Sequence, residues 1–192
     1  MITNNYTDNG WYSEIELLEL GFNNFGKNIL ISKKSSIFGH KNISLGSNIR
    51  IDDFVIFSSR KKITIGNNVH IGAFSYFAGN EEIEIQDNVG ISQSVRVYST
   101  VDDFFGIGLA GPMIDEKYRR TTSGKVKLEK YSIIGSGSVI FPGVTIGFNS
   151  AVGAMSLVNK DISENKLAIG IPAKETLNRS KIGYKKYEED KK

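Results

Sequence analysis

The chain has 192 residues, a formal net charge of +3 and no cysteine. That length suits one domain with a sizeable core, the missing thiols exclude disulfide and thiolate chemistry, and so small a charge gives no reason to expect a nucleic-acid partner. Without a long apolar run or a leader-like start, the expectation is a cytoplasmic protein with no membrane insertion, and two histidines, His40 and His70, cannot make a three-histidine zinc site, so no metal is expected.

Residues 1–24 read as a polar start and then a short capping helix. Ser13 and Glu16 form the Ser-x-x-Glu box and Gly21 suits the helix end. Ile15, Leu17, Leu18 and Leu20 are the expected apolar part, and the helix is expected to lie over the open edge of the first strands after it. Trp11 is expected to pack on this lid.

Residues 25–160 repeat in sixes. Phe25, Ile31 and Ile37 open three hexads; Leu45, Ile51 and Phe57 open the next three, then Ile65, Ile71 and Phe77, then Ile85, Ile91 and Val97. Each set lies 20 residues after the one before. A small or β-branched residue stands four places after each opener. After a break, Leu128, Ile134 and Ile140, then Ile146, Val152 and Val158, resume at a spacing of 18. A period of this kind fixes the architecture before any local propensity. Alternate side chains of a strand share a face, so the opener and the residue two before it point inward. Three short strands make one triangular coil, and stacked coils supply a core that no single coil has alone. The second place of each hexad, rich in glycine and short polar residues, is expected to hold the turn because such residues tolerate unusual φ. Phe74 and Phe148 point outward and need cover.

Residues 98–126 leave the register as a long loop expected to be functional. Residues 161–192 form a charged extension, read either as a short helix on the solenoid or as a frayed tail.

The run Ile134-Gly-Ser-Gly-Ser-Val-Ile-Phe-Pro-Gly-Val-Thr-Ile-Gly147, then Val152-Gly-Ala-Met-Ser-Leu-Val-Asn-Lys-Asp161 and Gly170-Ile-Pro-Ala-Lys174, resembles the C-terminal half of hexapeptide-repeat acyltransferases, more narrowly the galactoside, maltose and surface-polysaccharide O-acetyltransferases. The segments Leu20–Gly26, Asn48–Phe54, Tyr98–Asp103 and Glu116–Arg120 are similar to a branch associated with lipopolysaccharide biosynthesis. The resemblance implies an all-β fold, a left-handed parallel β-helix whose hand is an exception to the usual crossover preference. It also implies a homotrimer with acetyl-CoA in the groove between solenoids, and a long loop closing each site. By the resemblance, the backbone N–H of Ser136 holds the developing oxyanion, and Ser136, Ala154, Asn159, Lys160 and Lys174 contact the cosubstrate.

Acyl transfer needs a base for the acceptor proton, a donor for the oxyanion and a groove that aligns two substrates. Relatives carry a histidine in the loop after Val97; here that position falls on or beside Asp102, in the run Tyr98-Ser-Thr-Val-Asp-Asp103. His70 therefore becomes the leading base candidate. Strand alternation sends it outward, Gly90 leaves space beside it one coil on, and Asp102 or Asp103 is expected to orient its ring. Either aspartate is the alternative base. The expected activity is acetyl-CoA-dependent O-acetylation of a sugar hydroxyl in surface-glycan synthesis. Two alternatives stand beside it: N-acylation of a nucleotide-linked amino sugar, where a neutral amine needs less help from a base, and a non-catalytic solenoid scaffold.

Overall fold

The computed structural model describes residues 10–191. The polar start at residues 1–9 lies outside the described residues. The expected fold class holds: an all-β, left-handed parallel β-helix of about seven coils with two short helices. Three sheets form its faces. The first runs from Asn24–Phe25 through Ile43–Leu45, Ile63–Ile65, Ile83–Ile85 and Val126–Leu128 to Thr145–Ile146. The second starts at Ile29–Ile31 and continues through Ile49–Ile51, Val69–Ile71, Gly90–Ile91, Ile133–Ile134 and Ala151–Val152. The third runs from Ser36–Phe38 through Ile56–Ser59, Tyr76–Gly79, Arg96–Tyr98 and Val139–Ile140 to Leu157–Val158.

Register obeys the repeat. Ile51 pairs with Ile71, Ile71 with Ile91 and Ile91 with Ile134, so openers stack on openers. From Leu45 onward every opener is buried, with Phe57 and Phe77 stacked at 5.0 Å inside the coil. Phe25 and Ile37, at the open end, are only partly buried. Removing these apolar faces from water is the main stabilising term, about 25 cal/mol per Å².

The turn chemistry differs from the expectation. Positive φ falls on the fourth place of the hexad, not the second: Asn48, Phe54, Asn68, Phe74, Asn88 and Ser94 lie at φ of 56° to 63°. Glycine in the second place serves close stacking instead. A Cβ on Gly66 would lie 2.8 Å from the Asp87 backbone nitrogen, and one on Gly135 2.5 Å from that of Ala154. The coil corners come within van der Waals distance there, so the next coil leaves no room for a side chain.

The N-terminal helix α1 (Glu14–Leu20) has its capping box formed, with Gly21 left-handed at its end. Its apolar part is narrower than expected. Leu17 is buried and Leu20 packs on the core, while Ile15 and Leu18 are exposed. Trp11 bridges to Ser32, just past the first strand of the second sheet, with the Arg50 guanidinium 5.5 Å from its ring.

The excursion after Val97 is not structureless. Thr100–Asp102 and Thr121–Ser123 form an antiparallel stem, and a 3-10 turn spans Glu116–Tyr118. Solenoid packing also extends past residue 160. Ile162 bridges to Ile146 and is buried, and Lys166–Gly170 joins the second sheet beside Ala151–Val152 before turning back as Ala173–Asn178. Helix α2 (Ile182–Glu189) then places Tyr184 5.0 Å from Phe148 and 5.5 Å from Tyr131. Phe148 is thus covered within the chain, whereas Phe74 stays exposed.

Candidate functional site

Two corners of the triangle differ in how they treat the backbone. Where the first sheet turns into the second, side chains of an adjacent coil satisfy the turn N–H groups. Lys27 N donates to Ser47 Oγ at 3.0 Å, Ser47 N to Asn67 Oδ1 at 2.8 Å, Asn67 N to Asp87 Oδ1 at 2.7 Å and Phe148 N to Glu129 Oε2 at 2.9 Å. An asparagine ladder, Asn28 to Asn48 to Asn68 to Asn88, runs beside them at 3.0 to 3.1 Å. This corner is closed except at Asp87, whose N–H finds no acceptor among the described residues.

The corner between the second and third sheets is open. The equivalent N–H groups of Asp53, Ala73, Gln93, Ser136 and Ala154 find no acceptor among the described residues. Unpaired backbone donors in a row along one edge suit a ligand carrying carbonyl and anionic oxygens. The corner itself is held firmly. Ser136 Oγ donates to Gln93 Oε1 at 3.2 Å, Gly137 N to the Gln93 carbonyl at 3.0 Å and Met155 N to the Ser136 carbonyl at 2.8 Å. Ser136 and Ala154 therefore present N–H groups one coil apart, as an oxyanion donor and a groove donor require.

Asp102 and Asp103 lie elsewhere, in the excursion that leaves the third sheet. Asp103 accepts from the backbone N–H of Phe105, Ile107 and Gly108 at 2.9, 2.6 and 2.9 Å. Those bonds, led by Phe105, hold its carboxyl below the usual carboxylate range. So engaged, Asp103 anchors the loop and has little capacity left to take a proton. Asp102 is freer. One oxygen accepts from Gly111 N at 3.2 Å and the other lies 3.7 Å from Arg119 Nη2. It lines a cavity of about 580 Å³ with Tyr76, Tyr98, Phe104, Arg119 and Phe141. The Nε of Arg119 is buried there without an acceptor among the described residues, a donor that a polar ligand would satisfy.

His70 points outward from Val69–Ile71, as expected, but a different carboxylate orients it. Its Nε2 lies 2.8 Å from Asp52 Oδ2, and Arg50 Nε donates to the other oxygen of Asp52 at 2.7 Å. The reason is register: Asp52 directly follows the strand of the coil below, and Arg50 stacks directly on His70. A carboxylate only accepts, so Nε2 is the donor in this contact.

The site candidates therefore fall into two groups. His70, Ser136 and Ala154 belong to the second sheet or its open corner, and Lys174 pairs with Ile169 in the strands appended to that sheet. Asp102, Asp103, Asn159 and Lys160 come after strands of the third sheet, at the next corner. One chain does not bring the groups together. Sequence alone does not single out Gln93 or Arg119. The Glu116–Arg120 run marks the right segment, but nothing in it shows which arginine turns inward.

No family model matches the chain. It is 38% identical over 172 residues to a dTDP-4-amino-4,6-dideoxy-D-glucose acyltransferase of Escherichia coli, covering 89% of this chain and 90% of that one. The structure of AntD, an N-acyltransferase from Bacillus cereus in complex with dTDP and 3-hydroxybutyryl-CoA, superposes with a TM-score of 0.92 at 43% identity, over 95% of this chain and 97% of AntD. AntD has also been crystallised with a serine or an aspartate substituted, ten positions apart. A galactoside O-acetyltransferase of Escherichia coli strain K12 is 58% identical over 41 residues, 21% of this chain and 20% of that enzyme. Hexad register, open corner and near full-length similarity agree, and the chain belongs to the hexapeptide-repeat acyltransferases.

Proposed function

We propose that the protein transfers the acyl group of acetyl-CoA, or of another short acyl-CoA, to the amino group of a nucleotide-linked 4-amino-4,6-dideoxy sugar. The observation that carries this reading is Asp102. It is a carboxylate, in a cavity with an unsatisfied arginine donor, at the place where the resembling O-acetyltransferases carry a histidine. A carboxylate pairs naturally with an ammonium acceptor and takes a proton from it, which frees the nitrogen lone pair for attack as a neutral amine. Near full-length similarity to a dTDP-amino-sugar acyltransferase supports the same acceptor, whereas similarity to galactoside O-acetyltransferases covers 21% to 35% of the chain.

In the proposed reaction the acceptor nitrogen attacks the thioester carbonyl carbon. The C–N bond forms, the C–S bond breaks, and the thiolate of coenzyme A leaves and takes up a proton. Ser136 N–H receives the carbonyl oxygen as it gains charge. Ala154 N–H, Asn159, Lys160 and Lys174 line the cosubstrate's path, the lysines toward its phosphates. Asp102 serves as base. His70 lies two coils from Ser136, roughly 10 Å at the ~4.8 Å strand spacing, a long reach for a group that must touch the attacking nitrogen. Ser92 stands on the coil between them and ten positions before Asp102, the separation of the two residues altered in AntD.

The two groups of site residues meet if a neighbouring copy sets its open corner against this chain's hairpin, which supports a homotrimer with sites between subunits. The test is mass spectrometry of the protein incubated with acetyl-CoA and either dTDP-4-amino-4,6-dideoxyglucose, its 4-hydroxy counterpart or a simple galactoside. An acetylated amino sugar with both hydroxy sugars unchanged is the expected result. Acetylation of a hydroxy sugar alone would return the assignment to the O-acetyltransferases.

A further inference from the structure

We propose that Phe54 and Phe74 form the platform on which the pyrimidine base of the acceptor nucleotide stacks. This deepens the functional reading above and rests on it.

Backbone strain combined with an exposed, mutually stacked pair of rings sets these two residues apart. At the closed corner, the fourth place of the hexad is filled by Asn28, Asn48, Asn68, Asn88 and Asn149, at φ 49° to 58°, and once by Tyr131 at φ 66°, whose ring is half-buried against Tyr184 of α2. Asparagine tolerates this left-handed conformation; a bulky aromatic residue is a genuine outlier there. At the open corner, the same place in two successive coils holds Phe54 at φ 60° and Phe74 at φ 63°. Both rings are exposed, at 47% and 60%, and they stack with centroids 5.0 Å apart and planes 19° apart. The chain thus accepts backbone strain and exposed apolar surface together, a combination that folding alone does not favour.

The surroundings specify the occupant. Lys34 Nζ lies 5.9 Å from the Phe54 ring centre and 2.9 Å from Asp53 Oδ2. Arg50 and His70, both held by Asp52, border the same coils on the second sheet. The N–H groups of Asp53 and Ala73 open onto this edge without an acceptor among the described residues. An aromatic face bordered by the ion-paired Lys34 and Arg50 and by backbone donors matches a nucleoside diphosphate: a flat base, then two phosphates. Position agrees with this. Phe74 and Phe54 lie two and three coils from Ser136 along one corner, roughly 10 to 14 Å. That is about the separation between base and sugar within a nucleotide sugar whose amine reaches the thioester.

The test compares dTDP binding by titration calorimetry in the unaltered protein and in Phe54→Asn and Phe74→Asn. Asparagine suits the backbone, so the melting temperature should hold or rise. Affinity for dTDP should fall roughly 5- to 150-fold, the range for loss of one stacked base contact. Acetyl-CoA affinity and the mass of the assembly should stay unchanged, and Phe74→Tyr should keep dTDP binding. Asparagine variants that bind dTDP like the unaltered protein overturn the platform and leave the acyltransferase reading intact. A loss of dTDP affinity accompanied by a fall in mass and in acetyl-CoA affinity also overturns it, marking the phenylalanines as a contact between copies. If the unaltered protein acylates the amino sugar yet binds no dTDP, the platform alone fails. If it does neither, the functional reading fails with it.

Discussion

Asp52 holds both Arg50 and His70, accepting from Arg50 Nε at 2.7 Å and lying 2.8 Å from His70 Nε2. The carboxylate keeps the Arg50 guanidinium and the His70 imidazole on the face of one sheet, one coil apart. On the proposed assignment this unit meets the acceptor's phosphates and not its amine. His70→Ala should therefore raise KM for the nucleotide sugar while kcat stays within a few-fold. Asp102→Asn should lower kcat by about 10²-fold, the usual size for a lost general base. Steady-state kinetics at saturating acetyl-CoA separates the two. A 10²-fold loss of kcat in His70→Ala with an active Asp102→Asn would move the base to the histidine.

The Asp103 carboxylate ties down three backbone N–H groups of the excursion. Asp103→Ala should loosen residues 104–119, seen as faster amide hydrogen exchange there, and should abolish transfer while leaving acetyl-CoA affinity nearly intact. Because its folded-state pKa is depressed, Asp103 stabilises the loop above the ordinary carboxylate range. That contribution is lost as pH falls through its lowered value. Exchange in the loop should quicken on acidification in the native protein and show no such step in Asp103→Asn.

Gly66 shows what the second place of the hexad is for. Its φ is not positive, yet an added Cβ would meet the Asp87 nitrogen and the Gln86 carbonyl carbon, both at 2.8 Å. Gly66→Ala must push two coils apart, a form of overpacking that costs about 1–3 kcal/mol. Thermal denaturation should show the loss, and a variant as stable as the parent would mean that the corner yields more easily than its spacing implies.

The solenoid is legible in the sequence because its period is set by steric repetition. Openers such as Ile51, Ile71 and Ile91 must be apolar in every coil, so 20-residue spacing survives as register. The cap of helix α1 is legible for a similar reason, since Ser13, Glu16 and Gly21 each answer a local backbone need. Contacts between distant segments are not legible in the same way. Nothing near His70 in sequence announces Asp52 as its partner, because that contact is made between stacked coils. Phe148 reads as an exposed aromatic because the helix that covers it lies over thirty residues downstream. Turn position escapes for a subtler reason. Glycine marks both left-handed turns and close backbone approach, and composition alone does not separate those uses.

Glu16 gives a pH test of the N-terminal lid. Lys33 is the largest cause, with the Ser13 backbone and hydroxyl next, and together they bring its carboxyl down to about 2. A depressed carboxylate contributes stability above its unfolded value and loses it as pH falls. Docking of α1 should therefore weaken between about pH 4.5 and pH 2. Fluorescence of Trp11, the only tryptophan, should report it, since its ring packs by Arg50 next to this segment. Glu16→Gln should remove most of that transition. A pH response unchanged in Glu16→Gln would place the titrating group elsewhere.

The division of site residues between two corners yields the last prediction. Ser136 and Ala154 present N–H groups at the open corner, while Asp102 stands on the hairpin beyond the third sheet. If each site takes its open corner from one copy and its hairpin from the next, two defects on different chains need not coincide in every site. Ala154 is exposed, so Ala154→Trp should leave the coil folded while obstructing the acyl donor. Asp102→Asn should bind the donor and fail to transfer. Each variant alone should show no more than about a hundredth of the parent activity. Co-expressed and purified together, they should recover a substantial fraction of the parent activity, because some sites then combine an intact corner with an intact hairpin. The mass of the mixed assembly, measured by light scattering, should match that of the parent. A mixed preparation of the right mass with no more activity than its two components would show that both groups act within one chain, and the assignment of the site to the contact between copies would fall.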